Sequence, residues 1–175
     1  TLFPYTTLFR SIRIFSYFLM ALMALSLVMP AFTGFAATKV YHAPVNKEVE
    51  KGLYAFIERS VEEAEAAGAD VLLLEINTPG GAVDSAWEIG KLLLQTDIEI
   101  VAYINSKALS AGAYIALHAN QIYMSPTATF GSAGVITSDG NAADEKMTSA
   151  WIASMISAAE SRKRNPIYAE AMARP

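Results

Sequence analysis

The chain has 175 residues, 53% of them apolar and 17% charged, with a formal net charge of −4. That size suits one domain plus a targeting segment. An acidic chain without a basic stripe argues against a nucleic-acid groove, and the absence of cysteine excludes disulfides, thiolate metal sites and cysteine nucleophiles.

The chain opens on Thr1, and the run TLFPYTTLFRS resembles a translated sequencing adapter, so residues 1–11 are set aside from fold reasoning. Residues 12–37 follow the layout of a secretory signal peptide. Arg13 supplies the positive region, Phe15 to Met29 an apolar run, and Pro30, Gly34 and Ala36-Ala37 a breaker and small residues before a cleavage point. The rival is an uncleaved membrane anchor. Either would put the following domain outside the cytoplasm. At the far end the chain stops at Arg174-Pro175 directly after a helical pattern, so residues 38–175 read as an incomplete domain.

Within that domain, residues 39–45 have the pattern of a short strand. Residues 48–67 carry Val49, Leu53, Ile57 and Val61 at helical spacing and end at Gly68. DVLLLEI at 70–76 is a continuous apolar strand, of the kind buried on both faces of a parallel sheet. After the NTPGG loop, residues 83–94 predict a second helix and 98–104 a third strand. Strand and helix alternate, which implies parallel β-α units joined by crossover helices. Ser110 to Ala119 has helical composition, and 121–124 that of a strand. The polar stretch 125–143 predicts a loop with one short strand near Ala133 to Ile136. Met147, Trp151, Met155 and Ala159 mark a long amphipathic helix. Asn165 and Pro166 then start another, as cap and first helical residue. Trp87, Trp151 and the methionines fall on apolar stripes and are assigned to the core.

Two segments at strand ends could carry chemistry. Thr78-Pro79-Gly80-Gly81 can bring unobstructed backbone N–H groups close to a ligand, though alone it is as well explained by a turn. Ala108-Leu109-Ser110-Ala111-Gly112-Ala113-Tyr114 sets a serine at a helix start among small neighbours, though serine is also a common N-cap. Together, INTPGG followed about thirty residues on by ALSAGAYIAL resembles the NfeD family of membrane-bound Clp-class serine proteases. The match runs from about Lys39 to the chain end and includes GGAVD at Gly80 to Asp84 and Arg164-Asn165-Pro166.

That resemblance implies a ClpP/crotonase-like α/β fold and a Ser/Lys dyad. Ser110 would be the nucleophile, the N–H groups of Gly81 and Ala111 the oxyanion pair, and Gly80 would shape the approach. Lys146 would be the base, since it stands 19 residues before Asn165, where the family lysine sits. A lysine base must be uncharged; burial and the positive end of a helix favour that state, whereas Asp144 and Glu145 oppose it. Lys107, three residues before Ser110, is a weaker rival. His118 lies about 12 Å along the helix from Ser110, beyond hydrogen-bond reach. His42 is assigned to the surface, and Asp84 to stabilising the first turn of its helix.

The resulting expectation is a serine endopeptidase that cuts hydrophobic segments of membrane-associated proteins outside the cytoplasm. A stomatin-like or flotillin-like partner, membrane association and a homo-oligomer follow from the same resemblance. No cofactor, metal or nucleic acid is called for. The alternatives are a non-catalytic scaffold of the same fold and a crotonase-type acyl-CoA enzyme; an export signal argues against the second.

Overall fold

A computed structural model of the chain describes residues 15–23, 37–137 and 139–174. Residues 15–23 (α1) are helical and exposed. Among the described residues no helix is long and apolar enough to cross a membrane. Most of the expected leader, and all of residues 1–11, lie outside the described residues.

The chain from Thr38 onward forms one compact unit. Its elements are β1 (Val40–Val45), α2 (Lys51–Ala66), β2 (Val71–Thr78), α3 (Val83–Gln95), β3 (Glu99–Leu109), α4 (Ala111–Leu117), β4 (Gln121–Met124), β5 (Thr129–Gly131), α5 (Glu145–Ser161) and α6 (Pro166–Ala173). The sheet is parallel throughout, in the order β1-β2-β3-β4, with β5 also paired to β3. This is the β-α alternation the apolar periodicities imply.

Helix α2 packs on β1 and β2, and α4 on β2 and β3. The core they enclose includes Ile57, Leu72, Leu74, Ile76, Ile89, Leu93, Ile100, Ile104 and Ile115. In β2 the buried residues alternate with partly exposed ones, so the strand is buried on one face, not on both as its apolar run suggests. The reason is visible on its other face. There Glu75 accepts a hydrogen bond from Asn105 Nδ2 (2.7 Å) and pairs with His42 Nε2 (2.8 Å), a solvated polar network across three strands.

Strand β3 is longer than its sequence pattern. Ile76 pairs with Ile104, but Thr78, two residues on, pairs with Ala108, four residues on. The extra residues form a bulge at Asn105 to Lys107, polar positions just past the strand expected at 98–104. Beyond the bulge the strand changes neighbour: residues 101–104 pair with β4, and Lys107 to Leu109 with β5. The short strand expected near 133–136 therefore lies at 129–131 instead. Ile136 makes only an isolated antiparallel bridge to Ala142.

Candidate active site

The last residue of β3 leads without a loop into Ser110, and Ala111 starts α4. Ser110 has φ 52° and ψ −122°, left-handed backbone that an L-residue adopts only under strain. Its own N–H donates to the Gly131 carbonyl (3.0 Å), and its carbonyl accepts from Ala113 N–H (2.9 Å). Its side chain makes no capping hydrogen bond. Other helix starts differ. Asp144 accepts from Met147 N–H (2.8 Å), and Asn165 from Ile167 N–H (3.0 Å). Ser110 is thus not serving as a conventional N-cap. Its half-buried hydroxyl stands at a sharp strand-to-helix turn, the kind of elbow that presents a nucleophile.

Facing it is the diglycine bend. A Cβ on Gly80 (φ 106°) would fall 2.6 Å from Ser110 Cβ and 3.2 Å from Ser110 Oγ. A Cβ on Gly81 (φ 152°) would fall 2.2 Å from the Val49 carbonyl oxygen. Val49 N–H donates to the Gly80 carbonyl, and Ala82 N–H to the Val49 carbonyl, both at 2.7 Å. Among the described residues, neither Gly81 N–H nor Ala111 N–H has a hydrogen-bond partner. Two uncommitted donors therefore flank one strained serine.

These residues border a cleft of about 860 Å³, lined by Glu48, Pro79, Gly80, Gly81, Leu109 and Ser110 on one side. Ser132, Gly134, Ile136, Thr137, Met172 and Arg174 complete it. The segment after β5 is held firmly here. Trp151 Nε1 donates to the Ala133 carbonyl and Ala133 N–H to the Met172 carbonyl, each at 2.7 Å. Ser132 escaped the sequence reading; it is exposed in the cleft at φ 49°, and only the small-residue run Gly131 to Gly134 hinted at a close approach of backbone.

Lys146 is not among the lining residues. It stands exposed on the first turn of α5, and among the described residues it forms no ion pair. Asp144 beside it is occupied as the helix cap. Lys107 is also absent from the lining, in the part of β3 paired with β5. His118 is buried: its Nδ1 donates to the Tyr114 carbonyl (2.8 Å), and its ring is 4.5 Å from that of Tyr114. Burial lowers its pKa, partly offset by the Tyr114 bond and reinforced by Arg162 and Arg164. Asp84 Oδ1 accepts from Ser85 N–H (2.8 Å) in the first turn of α3.

Beside the cleft, Val83, Trp87, Val135, Ile136, Ala143 and Met147 border a largely apolar depression of about 360 Å³. Trp151 is core, but Trp87 and Met147 are not the fully buried residues their stripes suggest. They are 36% and 44% exposed, because both border this depression, although Trp87 also lies 6.4 Å from the Trp151 ring and donates from Nε1 to Ser154 Oγ (3.2 Å).

The family model for the NfeD1b N-terminal domain matches residues 39–175. Membrane protein NfeD1b of Bacillus subtilis is 50% identical over 136 residues, covering 78% of this chain and 31% of that protein. Membrane-bound protease PH1510 of Pyrococcus horikoshii is 31% identical over 139 residues, covering 75% and 32%. The chain thus spans about a third of the length of the curated relatives it matches. Among solved structures, the 1510-N membrane-bound stomatin-specific protease aligns at TM-score 0.74 and 29% identity, in a serine-to-alanine mutant and in a lysine-to-alanine mutant complexed with a substrate peptide. These alignments cover 79% of this chain and 70% and 67% of those chains. ClpP1 of Listeria monocytogenes aligns at TM-score 0.59 and 16% identity, covering 77% of this chain and 80% of that one. The fold is ClpP-like.

Proposed function

Since this chain belongs to the NfeD1b N-terminal domain family, we propose that it is a serine-type peptidase module with Ser110 as nucleophile and Lys146 as base. Ser110 Oγ attacks the scissile carbonyl carbon while its proton passes to the uncharged Lys146 amine. Gly81 and Ala111 N–H groups stabilise the tetrahedral oxyanion, and Gly80 keeps the approach open. The oxyanion then collapses, the C–N bond breaks, and the amine leaves with the proton from Lys146. Water, deprotonated by the same lysine, cleaves the resulting ester and frees the serine.

What supports this reading is Ser110 itself: strained backbone, an uncapped hydroxyl and two unpaired N–H groups beside it. Lys146 receives its support from the similar protease whose lysine-to-alanine mutant was solved with a substrate peptide. Catalytic hydrogen bonds often tighten only with substrate in place. A bound peptide would touch Ile136 and Thr137, in the segment that leads into α5, and could draw the start of that helix toward Ser110. The substrate class in this proposal is hydrophobic segments of membrane-associated proteins, including stomatin-like or flotillin-like partners; the similar protease is named as stomatin-specific. The relatives are named as membrane proteins. An exported, membrane-associated location, a leader over 12–37 and homo-oligomeric assembly belong to the same proposal.

A fluorophosphonate probe is expected to label the full chain at Ser110. Ser110→Ala should abolish labelling, Lys146→Ala should slow it about a hundredfold, and Lys107→Ala should leave it unchanged. A folded chain that resists labelling would favour the second reading, a scaffold of the same fold, which the exposed position of Lys146 outside the cleft lining favours.

A further inference from the structure

Thr78 ends β2 and is fully buried beside the diglycine bend. Its Oγ1 donates to the Lys47 carbonyl oxygen (2.7 Å) and accepts the Gly80 N–H (3.2 Å). Its methyl group faces α4, where a Cβ on Gly112 would fall only 2.4 Å from Thr78 Cγ2. One side chain therefore touches the loop before α2, the bend opposite Ser110, and the helix that follows Ser110.

A hydroxyl carries one proton and two lone pairs. Here the proton goes to Lys47 and one lone pair takes the Gly80 N–H. Val49 takes two more of the bend's backbone groups, the Gly80 carbonyl and the Ala82 N–H. Gly81 N–H is the donor left over. Resting on the peptidase reading above, we propose that Thr78 is a positioning residue: its hydroxyl commits the Gly80 N–H and fixes the bend so that Gly81 alone offers a donor to the oxyanion. Valine at this position keeps the methyl against Gly112 but strips Lys47 O and Gly80 N–H of their buried partner. The bend then has two groups seeking new partners, and the Gly81 donor loses its fixed direction.

The test uses the full chain as wild type, Thr78→Val and Thr78→Ser. It measures fluorophosphonate labelling of Ser110, resolved into binding (KI) and inactivation (kinact), with thermal unfolding alongside. Thr78→Val should lower kinact at least about tenfold, a modest share of what losing an oxyanion donor costs, with KI unchanged. Thr78→Ser, which keeps the hydroxyl and loses the methyl, should stay within about threefold of wild type. Equal kinact for wild type and Thr78→Val, or a Ser variant as slow as the Val variant, overturns the role. Should Thr78→Val not fold, Thr78→Ser against Thr78→Cys sets strong against weak hydrogen bonding at similar size, with the same two outcomes. A wild-type chain that is never labelled overturns the peptidase reading and this role with it; a labelled wild type with an unaffected variant overturns the role alone.

Discussion

Gly80 has no room for a side chain. A methyl there would press on Ser110 Cβ at 2.6 Å and on the Leu109 carbonyl oxygen at 2.9 Å, at a φ of 106° that L-residues rarely adopt. Gly80→Ala is expected to lose fluorophosphonate labelling entirely and to cost about 1–3 kcal/mol of stability, read from the shift in the denaturant midpoint. At this scale the sequence was informative about residue type and silent about conformation. The small neighbours of Ser110 and the paired glycines 29 and 30 positions before it are visible in the string. The φ of 52° that separates Ser110 from an ordinary cap is not, because serine is common at both kinds of position.

At the scale of elements, α4 is held from its far end. Arg164 donates from Nη1 to the Leu117 carbonyl (2.9 Å) and from Nη2 to the Ala119 and Asn120 carbonyls (2.9 and 3.1 Å). Arg162 donates from Nε to the His118 carbonyl (2.7 Å) and from an Nη to the Leu93 carbonyl (3.0 Å). The turn between α5 and α6 thereby satisfies the orphan carbonyls that end α4. Arg164→Met keeps the aliphatic stem and removes all three bonds. It should cost about 2–3 kcal/mol, measured by equilibrium unfolding, and Arg164→Lys should recover only part, since an ammonium cannot fork across three acceptors. Helix and strand identities were legible here, because apolar periodicity is a local signal. What was not legible was β3 past Ile104. Asn105, Ser106 and Lys107 have turn composition; the strand carries on past them because Thr78 pairs with Ala108 and because β5, about twenty residues on, pairs with Lys107 to Leu109. Pairing over such a distance leaves no local mark. The same holds for Trp87 and Met147, whose spacing is that of core residues but whose surroundings depend on where the 132–144 segment runs.

For the molecule as a whole, the buried His118 sets the expected response to acid. Burial keeps its pKa below the ordinary histidine value in the folded chain, so between that lowered value and about 6.5 the unfolded state binds more protons. Stability contributed by neutral His118 is therefore complete above about pH 7 and is lost as pH falls through the unfolded value. The melting temperature should drop between about pH 7 and pH 5, and His118→Leu should flatten that slope even if it lowers the plateau. This follows from packing at the C-terminal end of α4, about 12 Å along the helix from Ser110. It should appear equally in Ser110→Ala, which separates the acid response of the fold from that of the chemistry.

Open parallel sheets commonly gain a binding crevice where the strand order reverses. Here the path β1-β2-β3-β4 never reverses, so that source is closed. The cleft lies where one strand runs on past its neighbour: β3 bulges between Ile104 and Ala108, leaves β4 behind and pairs with β5. Dropping Asn105 and Ser106 would still set Ala108 opposite Thr78, now in unbroken register, so the surplus residues govern the bend of the strand and not how far it reaches.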